Sequence, residues 1–304
     1  MRSVPSYVYD AASVLFIGKR DEQEDALSKD FVSASGLGFA VVADGMGGHA
    51  AGDVASRIVV NEVFRQIKIL AADPLTIENK LEQALLQALN AANTQLGTVA
   101  RTRPELDGMG STLIAPIVAE NRLYWISVGD SPLYLQRESR LFRLNENHSV
   151  AGLLDTLVSE GEIDADTASQ HPERHCLTSV MNGSDIPHVD CRQKPFTLEN
   201  GDIVIAASDG LQSIGDKTIA SIIFKARNET AEDIAGALLQ AVKDYDDPDQ
   251  DNVSICIFKI KFEYSSAQVT SLDFDRVQKT PQGEPVEENS LIDQLYQRVN
   301  GGAS

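Results

Sequence analysis

Residues 39–49 read FAVVADGMGGH, an apolar run that stops at an aspartate and continues into glycines. Phe39 to Ala43 has the length and composition of a buried strand, and the glycine-rich segment from Met46 to Gly52 indicates a loop. Asp44 therefore stands where a core strand ends, with a glycine as its next neighbour.

Three more aspartates have a similar context elsewhere in the chain. Asp130 in SVGDS and Asp209 in AASDG follow apolar runs, and Asp251 in DNVS precedes one. Carboxylates brought together in a protein interior repel one another unless a cation offsets their charge. Strand-end aspartates from distant segments therefore predict one shared cation site, and a ligand set made of oxygen atoms suits magnesium or manganese.

Composition narrows the class of protein. The chain has 304 residues, 42% of them hydrophobic, which is enough for a sizeable core. Its formal net charge of -19 argues against sequence-independent nucleic-acid binding and against electrostatic docking on an anionic membrane. Three cysteines without a C-x-x-C pair, and no run that resembles a signal peptide or a membrane span, predict a protein of the reducing cytoplasm.

The pattern of apolar residues predicts the elements. Helical spacing indicates helices over residues 53–70, with Asp53 as the N-cap, 75–99 and 231–245. Strands are expected at 39–43, 111–118, 122–128, 133–135, 141–144, 202–207 and 253–260. The runs at 133–144 are expected to extend the hairpin before them into one meander. Antiparallel meanders with separate helices favour layered α+β architecture over an alternating βαβ fold.

Taken in order, six motifs give the sequence a family resemblance. They are GKRDEQEDA at 18–26, DGMGG at 44–48, GMGST at 108–112, GDS at 129–131, SDG at 208–210 and DN at 251–252. Together they resemble the metal-dependent serine/threonine protein phosphatases, the type 2C or PPM family, in its bacterial form. The resemblance implies an αββα fold, in which a β-sandwich of two antiparallel sheets is flanked by α-helices.

The resemblance also implies a division of the chain. Residues 1–262 would form the phosphatase domain, with a flap insertion around 149–195 that helps to set substrate choice. Residues 263–304 are expected to be a polar tail. Within it, residues 290–299 either form a short helix that docks a protein partner or are a frayed terminus.

Metal ligands follow from the same resemblance. Asp44 would bridge two manganese or magnesium ions, and Asp209 and Asp251 would complete the shell of one of them. The Gly45 carbonyl, together with Glu24 acting through water, would hold the other. A looser third ion would lie between two carboxylates, those of Asp130 and Asp209.

Further roles and two departures concern the surroundings of those ligands. Arg20 would bind the substrate phosphate, while Asp25 and Asn252 would support the ligands from behind. Pro132 stands where relatives often have arginine, which puts the third ion in question. Met46 stands where eukaryotic relatives have a histidine proposed as general acid, and His49 is a nearby candidate for proton transfer.

The implied activity is hydrolysis of phosphoserine and phosphothreonine in proteins by water activated at two metal ions, in opposition to a kinase. One alternative is a phosphoprotein-binding module of the same fold that has lost turnover, although the full carboxylate set speaks against it. The other is a hydrolase of small phosphoesters. A comparison of phosphopeptide with sugar-phosphate turnover separates that alternative from the protein phosphatase.

Overall fold

The computed structural model describes residues 5–32, 37–47, 50–71 and 74–264. The strands within these ranges are β1 (Pro5–Phe16), β2 (Asp25–Val32), β3 (Leu37–Met46), β4 (Gly110–Ser111), β5 (Leu113–Ala119), β6 (Arg122–Val128), β7 (Leu133–Arg137), β8 (Arg140–Arg143), β9 (Asp190–Cys191), β10 (Phe196–Thr197), β11 (Ile203–Ala207) and β12 (Val253–Tyr264). The α-helices are α1 (Ala50–Ala71), α2 (Pro74–Thr102), α3 (Val150–Ser159), α4 (Ala165–Ser169), α5 (Asp216–Lys225) and α6 (Ala231–Tyr245). Short 3-10 helices cover Pro104–Leu106 and Asp209–Ile214.

The strands form two sheets with antiparallel pairing. One has the order β1-β12-β11-β7-β8, and the other has the order β10-β6-β5-β3-β2, with β4 added to β3 and β9 added to β6. Helices α1 and α2 pack on the second sheet, and α5 and α6 pack on the first. The predicted fold class is therefore confirmed.

Three apolar layers hold this stack together. Side chains from both sheets meet between them, with Trp125 and Phe258 among the largest. A second layer joins the sheet of β3 to α1 and α2, and a third joins the sheet of β11 to α5 and α6. Each sheet is thus apolar on both faces, because each is covered by its partner sheet and by helices.

Strand alternation along β3 explains where Asp44 lies. Val41 and Ala43 belong to the layer beneath the helices, whereas Ala40 and Val42 belong to the layer between the sheets. Since neighbouring side chains in a strand point to opposite faces, Asp44 continues the set that faces the space between the sheets. The carboxylate therefore comes out at one edge of the sandwich.

Two local predictions were wrong. Helix α1 begins at Ala50, so Asp53 is not the N-cap; it lies in the first turn and pairs with Arg57 at 2.5 Å. An acidic side chain in that position is favourable because of the helix dipole. The loop that was expected to run to Gly52 is correspondingly shorter.

The expected single meander is also wrong, because β5–β6 and β7–β8 lie in different sheets. Residues 129–132 carry the chain across from one sheet to the other, and β7 pairs with β11 instead. The predicted tail helix lies outside the described residues, and β12 continues to Tyr264. In the described part of the chain, no helix combines the length and apolar character that crossing a bilayer requires.

Candidate active site

Five carboxylates from separate segments share one edge of the sandwich. Asp44 ends the core part of β3 and is paired in register with Asp25 on β2. Burial raises the pKa of Asp44 well above its usual range, and the negative charges of Asp25, Asp209, Asp130 and Asp251 raise it further. The aspartates that the sequence singled out therefore belong to one electrostatic unit, which the fold assembles.

The backbone of Asp44 is fixed by its neighbour on the chain segment that leads into β5. The Asp44 N–H donates to Thr112 Oγ1 at 3.0 Å, and the Thr112 N–H donates to the Asp44 carbonyl at 2.9 Å. Thr112 Oγ1 also lies 2.8 Å from Ser131 Oγ. These buried contacts hold the strand end in place and leave the Asp44 carboxylate free for other partners.

Asp25 lies deepest of the group. Ser208 Oγ donates to Asp25 Oδ2 at 2.6 Å and accepts from the Ser254 N–H at 2.9 Å. The other oxygen, Oδ1, is buried without a hydrogen-bond partner among the described residues. Burial raises the pKa of Asp25 to about 7, with Asp209 and Asp251 adding to the rise. An ionised carboxylate in this position needs positive charge nearby.

Asp209 and Asp130 are close enough for the charge of Asp209 to raise the pKa of Asp130. Burial raises the pKa of Asp209, as does the charge of Asp251, whereas a hydrogen bond with Asp44 lowers it. Asp209 Oδ1 is a second buried oxygen without a hydrogen-bond partner among the described residues. Burial raises the pKa of Asp130 to about 7; Asp209 raises it further and Arg143 opposes the rise.

Glu24 lies beside the backbone of Gly45. The Gly45 N–H donates to the Glu24 carbonyl at 3.1 Å. A Cβ on Gly45 would lie 2.0 Å from the Gly52 carbonyl oxygen, and a Cβ on Gly52 would lie 2.7 Å from the Glu24 carboxyl carbon. Only glycines allow the start of α1 to pack so closely on these two residues. The structure thus brings together the two groups expected to serve the second ion.

Arg20 and Asp251 contact each other at the rim. Arg20 Nη2 donates to Asp251 Oδ2 at 2.7 Å, and the two side chains are 55% and 42% exposed. The residue expected to bind phosphate is therefore paired with a residue expected to bind metal. A metal ion at Asp251 Oδ2 would compete with Arg20 Nη2 for the same oxygen, so the two expected roles meet at this contact.

Asn252 holds the loop that carries Arg20 and Glu24. Its Oδ1 accepts from the Glu24 N–H at 2.7 Å. Its Nδ2 donates to the carbonyls of Ile17 at 2.8 Å and Glu22 at 3.0 Å. The amide is buried and satisfied at both ends, so its observed contact is with the loop itself.

The donor set is compatible with hard divalent cations. The clustered groups offer carboxylate oxygens and the Gly45 carbonyl, and Asp25 and Asp209 each have a buried oxygen that finds no hydrogen-bond partner within the ranges the structure describes. Within the described ranges, no group of three or more His, Cys, Asp or Glu side chains is arranged so that it could hold a metal ion as it stands. Asp251 instead contacts Arg20, and Asp25 contacts Ser208.

The predicted flap begins directly beside this cluster. Ser149 caps α3, and the N–H groups of Val150 and Ala151 donate to the carbonyls of Cys176 and Arg174. This places the exposed His175 close enough for its charge to lower the pKa of Asp209. His49 lies outside the described residues.

Sequence reasoning missed His175, Arg143, Thr112 and Ser208 as part of the site. Ser208 could have been found, because strand alternation in β11 points it to the same side as Val204 and Ala206. The partners of the other three lie far away in the sequence, so local patterns carried no signal.

Comparison with known proteins places this fold and site in a family. The model of the protein phosphatase 2C family matches residues 17–244, and the chain belongs to that family. It is similar to the serine/threonine phosphatase stp of Listeria welshimeri, with 34% identity over 192 residues that make up 63% of this chain and 73% of that protein.

Solved structures of serine/threonine phosphatases have a similar fold. The crystal structure of the Mycobacterium tuberculosis serine/threonine phosphatase PstP/Ppp has a TM-score of 0.68 and 28% identity, and the match covers 85% of this chain and 100% of that one. The catalytic domain of PstP in complex with two manganese ions gives a TM-score of 0.66 at 27% identity, over 84% of this chain and 99% of that one.

Proposed function

We propose that this chain is a metal-dependent serine/threonine protein phosphatase that hydrolyses phosphoserine and phosphothreonine. The family match and the stp and PstP relatives support the activity, and the two manganese ions of PstP support the cofactor. In this chain the cofactor is manganese or magnesium. When bound, the ions supply the Lewis acidity that activates water and offsets the charge of the phosphoryl group.

Particular residues are suited to hold the ions. Asp44, on which the charges of Asp25, Asp209, Asp130 and Asp251 all act, would be the ligand common to both ions. Asp209 and Asp251 would hold one of them, and the Gly45 carbonyl, with Glu24 beside it, would hold the other. Asp209 Oδ1 is buried and has no hydrogen-bond partner in the described part of the chain, which supports this assignment.

A second group of residues supports the ligands and the substrate. Asp25 is held by Ser208 behind the ligands, and Asn252 fixes the loop of Arg20 and Glu24. The Arg20 guanidinium binds the substrate phosphate through paired N–H donors once it leaves Asp251. The exposure of Arg20 at the rim suits a group that meets an incoming substrate.

One observation carries the proposal. The fold gathers Asp25, Asp44, Asp130 and Asp209 from separate strands and loops, and burial raises the pKa of all four. Such a cluster costs stability unless cations offset it, and perturbed carboxylates at one edge of a fold mark a functional site.

Turnover of different substrates tests the proposal. With manganese present, a phosphothreonine peptide, glucose 6-phosphate and p-nitrophenyl phosphate are compared at equal concentration. We expect the highest kcat/KM for the peptide and no turnover of any substrate after chelation. Preference for the sugar phosphate would contradict a protein phosphatase, and binding of the peptide without turnover would indicate a binding module.

We also propose partners and a compartment for this chain. Phosphorylated proteins are the substrates, and a serine/threonine kinase supplies them. We infer a cytoplasmic setting from the cysteine pattern of the sequence, and partner docking by residues 290–299 from their apolar spacing.

A further inference from the structure

The segment from Arg143 to His148 makes hydrogen bonds to the loop of residues 129–132, which carries Asp130. Arg143 Nη2 donates to the Asp130 carbonyl at 2.6 Å, and Asn145 Nδ2 donates to the Ser131 carbonyl at 3.0 Å. His148 adds two contacts, since its N–H donates to the Gly129 carbonyl and its Nδ1 accepts from the Gly129 N–H. The loop is thus fixed by Arg143 at the end of β8 and by Asn145 and His148 in the segment that follows it.

Arg143 is an unusual member of this group because it brings a charge into the protein. It is opposite Tyr134 in the β7–β8 pair. Burial lowers the pKa of Arg143, whereas the charges of Asp130, Asp216 and Asp155 raise it. Its Nε is buried without a hydrogen-bond partner among the described residues. Placing a guanidinium here has a cost, which a purely apolar side chain would avoid.

The loop itself contains no cation and ends in a residue that lacks an N–H. Gly129, Asp130, Ser131 and Pro132 supply one carboxylate and no positive charge. The donors that fix the loop must therefore come from outside, and Arg143 is a charged donor that reaches the residue bearing the carboxylate.

We propose that Arg143 is a positioning residue that holds Asp130 in place to bind a further divalent ion beside Asp209. The inference rests on the proposed function, and it assigns to a β8 side chain the support that the loop cannot provide. Asn145 and His148 fix the neighbouring residues, so the guanidinium acts on Asp130 in particular.

Charge and position make opposite predictions for the loss of Arg143. By charge alone, removal of a cation near carboxylates would strengthen metal binding. If Arg143 positions Asp130, its removal weakens metal binding, because the group that orients the ligand's backbone is gone. The proposal commits to the second outcome.

The test compares Arg143→Met, which keeps much of the bulk, with Arg143→Lys, which keeps a positive charge and a single donor nitrogen. Arg140→Met, an exposed change on the same strand, is the control. Phosphothreonine-peptide turnover is measured against manganese concentration, and hydrogen exchange of the peptide over residues 129–133 is measured in metal-free protein. We expect Arg143→Met to raise the half-saturating manganese concentration about 10-fold. It should also lower kcat with little change in KM for the peptide, and it should speed hydrogen exchange over residues 129–133.

The lysine variant decides between positioning and packing. We expect it to restore most of the manganese dependence, because a mere packing role would be served at least as well by methionine. Unchanged or tighter manganese dependence in Arg143→Met would overturn the proposal, as would equal defects in Met and Lys. If Arg143→Met fails to fold, Arg143→Gln takes its place in the comparison. Absence of turnover in the wild type would instead count against the proposed function. Hydrogen exchange over residues 129–133 would still test whether Arg143 holds the loop in place.

Discussion

At the scale of single residues, the contact between Arg20 and Asp251 connects the two halves of the proposed chemistry. An exposed ion pair of this kind contributes about 0–1 kcal/mol, so it opens readily. A cation that engages Asp251 releases the guanidinium of Arg20, which then becomes available for phosphate. Metal and phosphate binding are therefore expected to support each other.

Arg20→Gln separates these effects. Loss of a charged donor to phosphate is expected to lower kcat/KM for a phosphothreonine peptide about 10- to 100-fold, and to weaken inhibition by inorganic phosphate. Because Asp251 loses its competitor, the manganese concentration for half-maximal turnover should fall. Lys19→Gln, which removes the neighbouring pair with Asp246, is the control. Arg20→Gln kinetics like those of this control would contradict the assigned role.

The raised pKa of Asp25 predicts a pH dependence of stability in metal-free protein. Its pKa rises from 3.8 to about 7 on folding. As the pH falls, Asp25 therefore takes up a proton in the folded state at a higher pH than in the unfolded state. This contribution is fully present below the unfolded pKa and is lost as pH rises through about 7. Relative to the wild type, Asp25→Asn should therefore become more stable between pH 5 and pH 8, by on the order of a few kcal/mol.

Denaturant unfolding in chelator at a series of pH values measures this difference. Asp249→Asn, at an exposed position, should show no such trend. A constant difference between Asp25→Asn and the wild type across the range would mean that Asp25 is ionised without penalty.

How far the sequence predicts the site can be judged residue by residue. Asp44, Asp209 and Asp251 were identifiable because each carries a local signature of apolar run and small neighbour. The partners of these residues were not, because contacts such as Asn252 with Ile17 join positions 235 residues apart. Local pattern predicts which side chains take part but not which hydrogen bonds hold them.

At the scale of elements, strongly periodic segments were predicted and mixed ones were missed. Helix α6 matches its predicted range, 231–245, and a capping box at Thr230 and Asp233 explains its start. Strand β1 was missed because Asp10 and Ser13 interrupt its apolar pattern. Asp10 is polar for a structural reason, since its Oδ2 accepts from the Ala231 N–H at the start of α6.

The flap is the element in which substrate choice is expected to reside. Exchanging residues 149–195, with His175 retained, for the equivalent segment of a related phosphatase should change the ranking of phosphopeptides. Turnover of p-nitrophenyl phosphate should stay within about threefold, because the carboxylates lie outside the segment. Competition assays with a small panel of phosphopeptides measure the ranking. An unchanged ranking would place specificity elsewhere on the protein.

At the scale of the whole molecule, the fold class followed from alternation but the assignment of strands to sheets did not. Both sheets are apolar on two faces, so hydrophobic pattern alone does not distinguish β5–β6 from β7–β8. The crossing at residues 129–132 decides which sheet each pair joins, and that crossing is held by Arg143 at the end of β8 and by Asn145 just after it. The spacing of apolar residues does not predict such contacts between separate segments, so it could not predict where the chain crosses between the sheets.

Metal binding should stabilise the whole protein, because the sandwich holds the carboxylates in its folded state only. At a manganese concentration 100 times the dissociation constant, the gain is about 2.7 kcal/mol for one ion, which raises Tm by several degrees. Asp44→Asn should be more stable than the wild type in chelator and should lose most of this shift. Scanning calorimetry measures both effects. An equal manganese shift in the Asp44→Asn variant would exclude Asp44 as a bridging ligand.

The most direct test of the central claim is phosphate release from a phosphothreonine peptide by wild type, Asp251→Asn and Asp249→Asn, each with and without manganese. Asp251→Asn keeps the shape of the side chain and removes one charge from the proposed metal shell. We predict manganese-dependent release by the wild type and by Asp249→Asn, and a fall of at least about 100-fold in Asp251→Asn. No release by metal-loaded wild type, or equal release by Asp251→Asn, would contradict the assignment of this cluster as a catalytic metal centre.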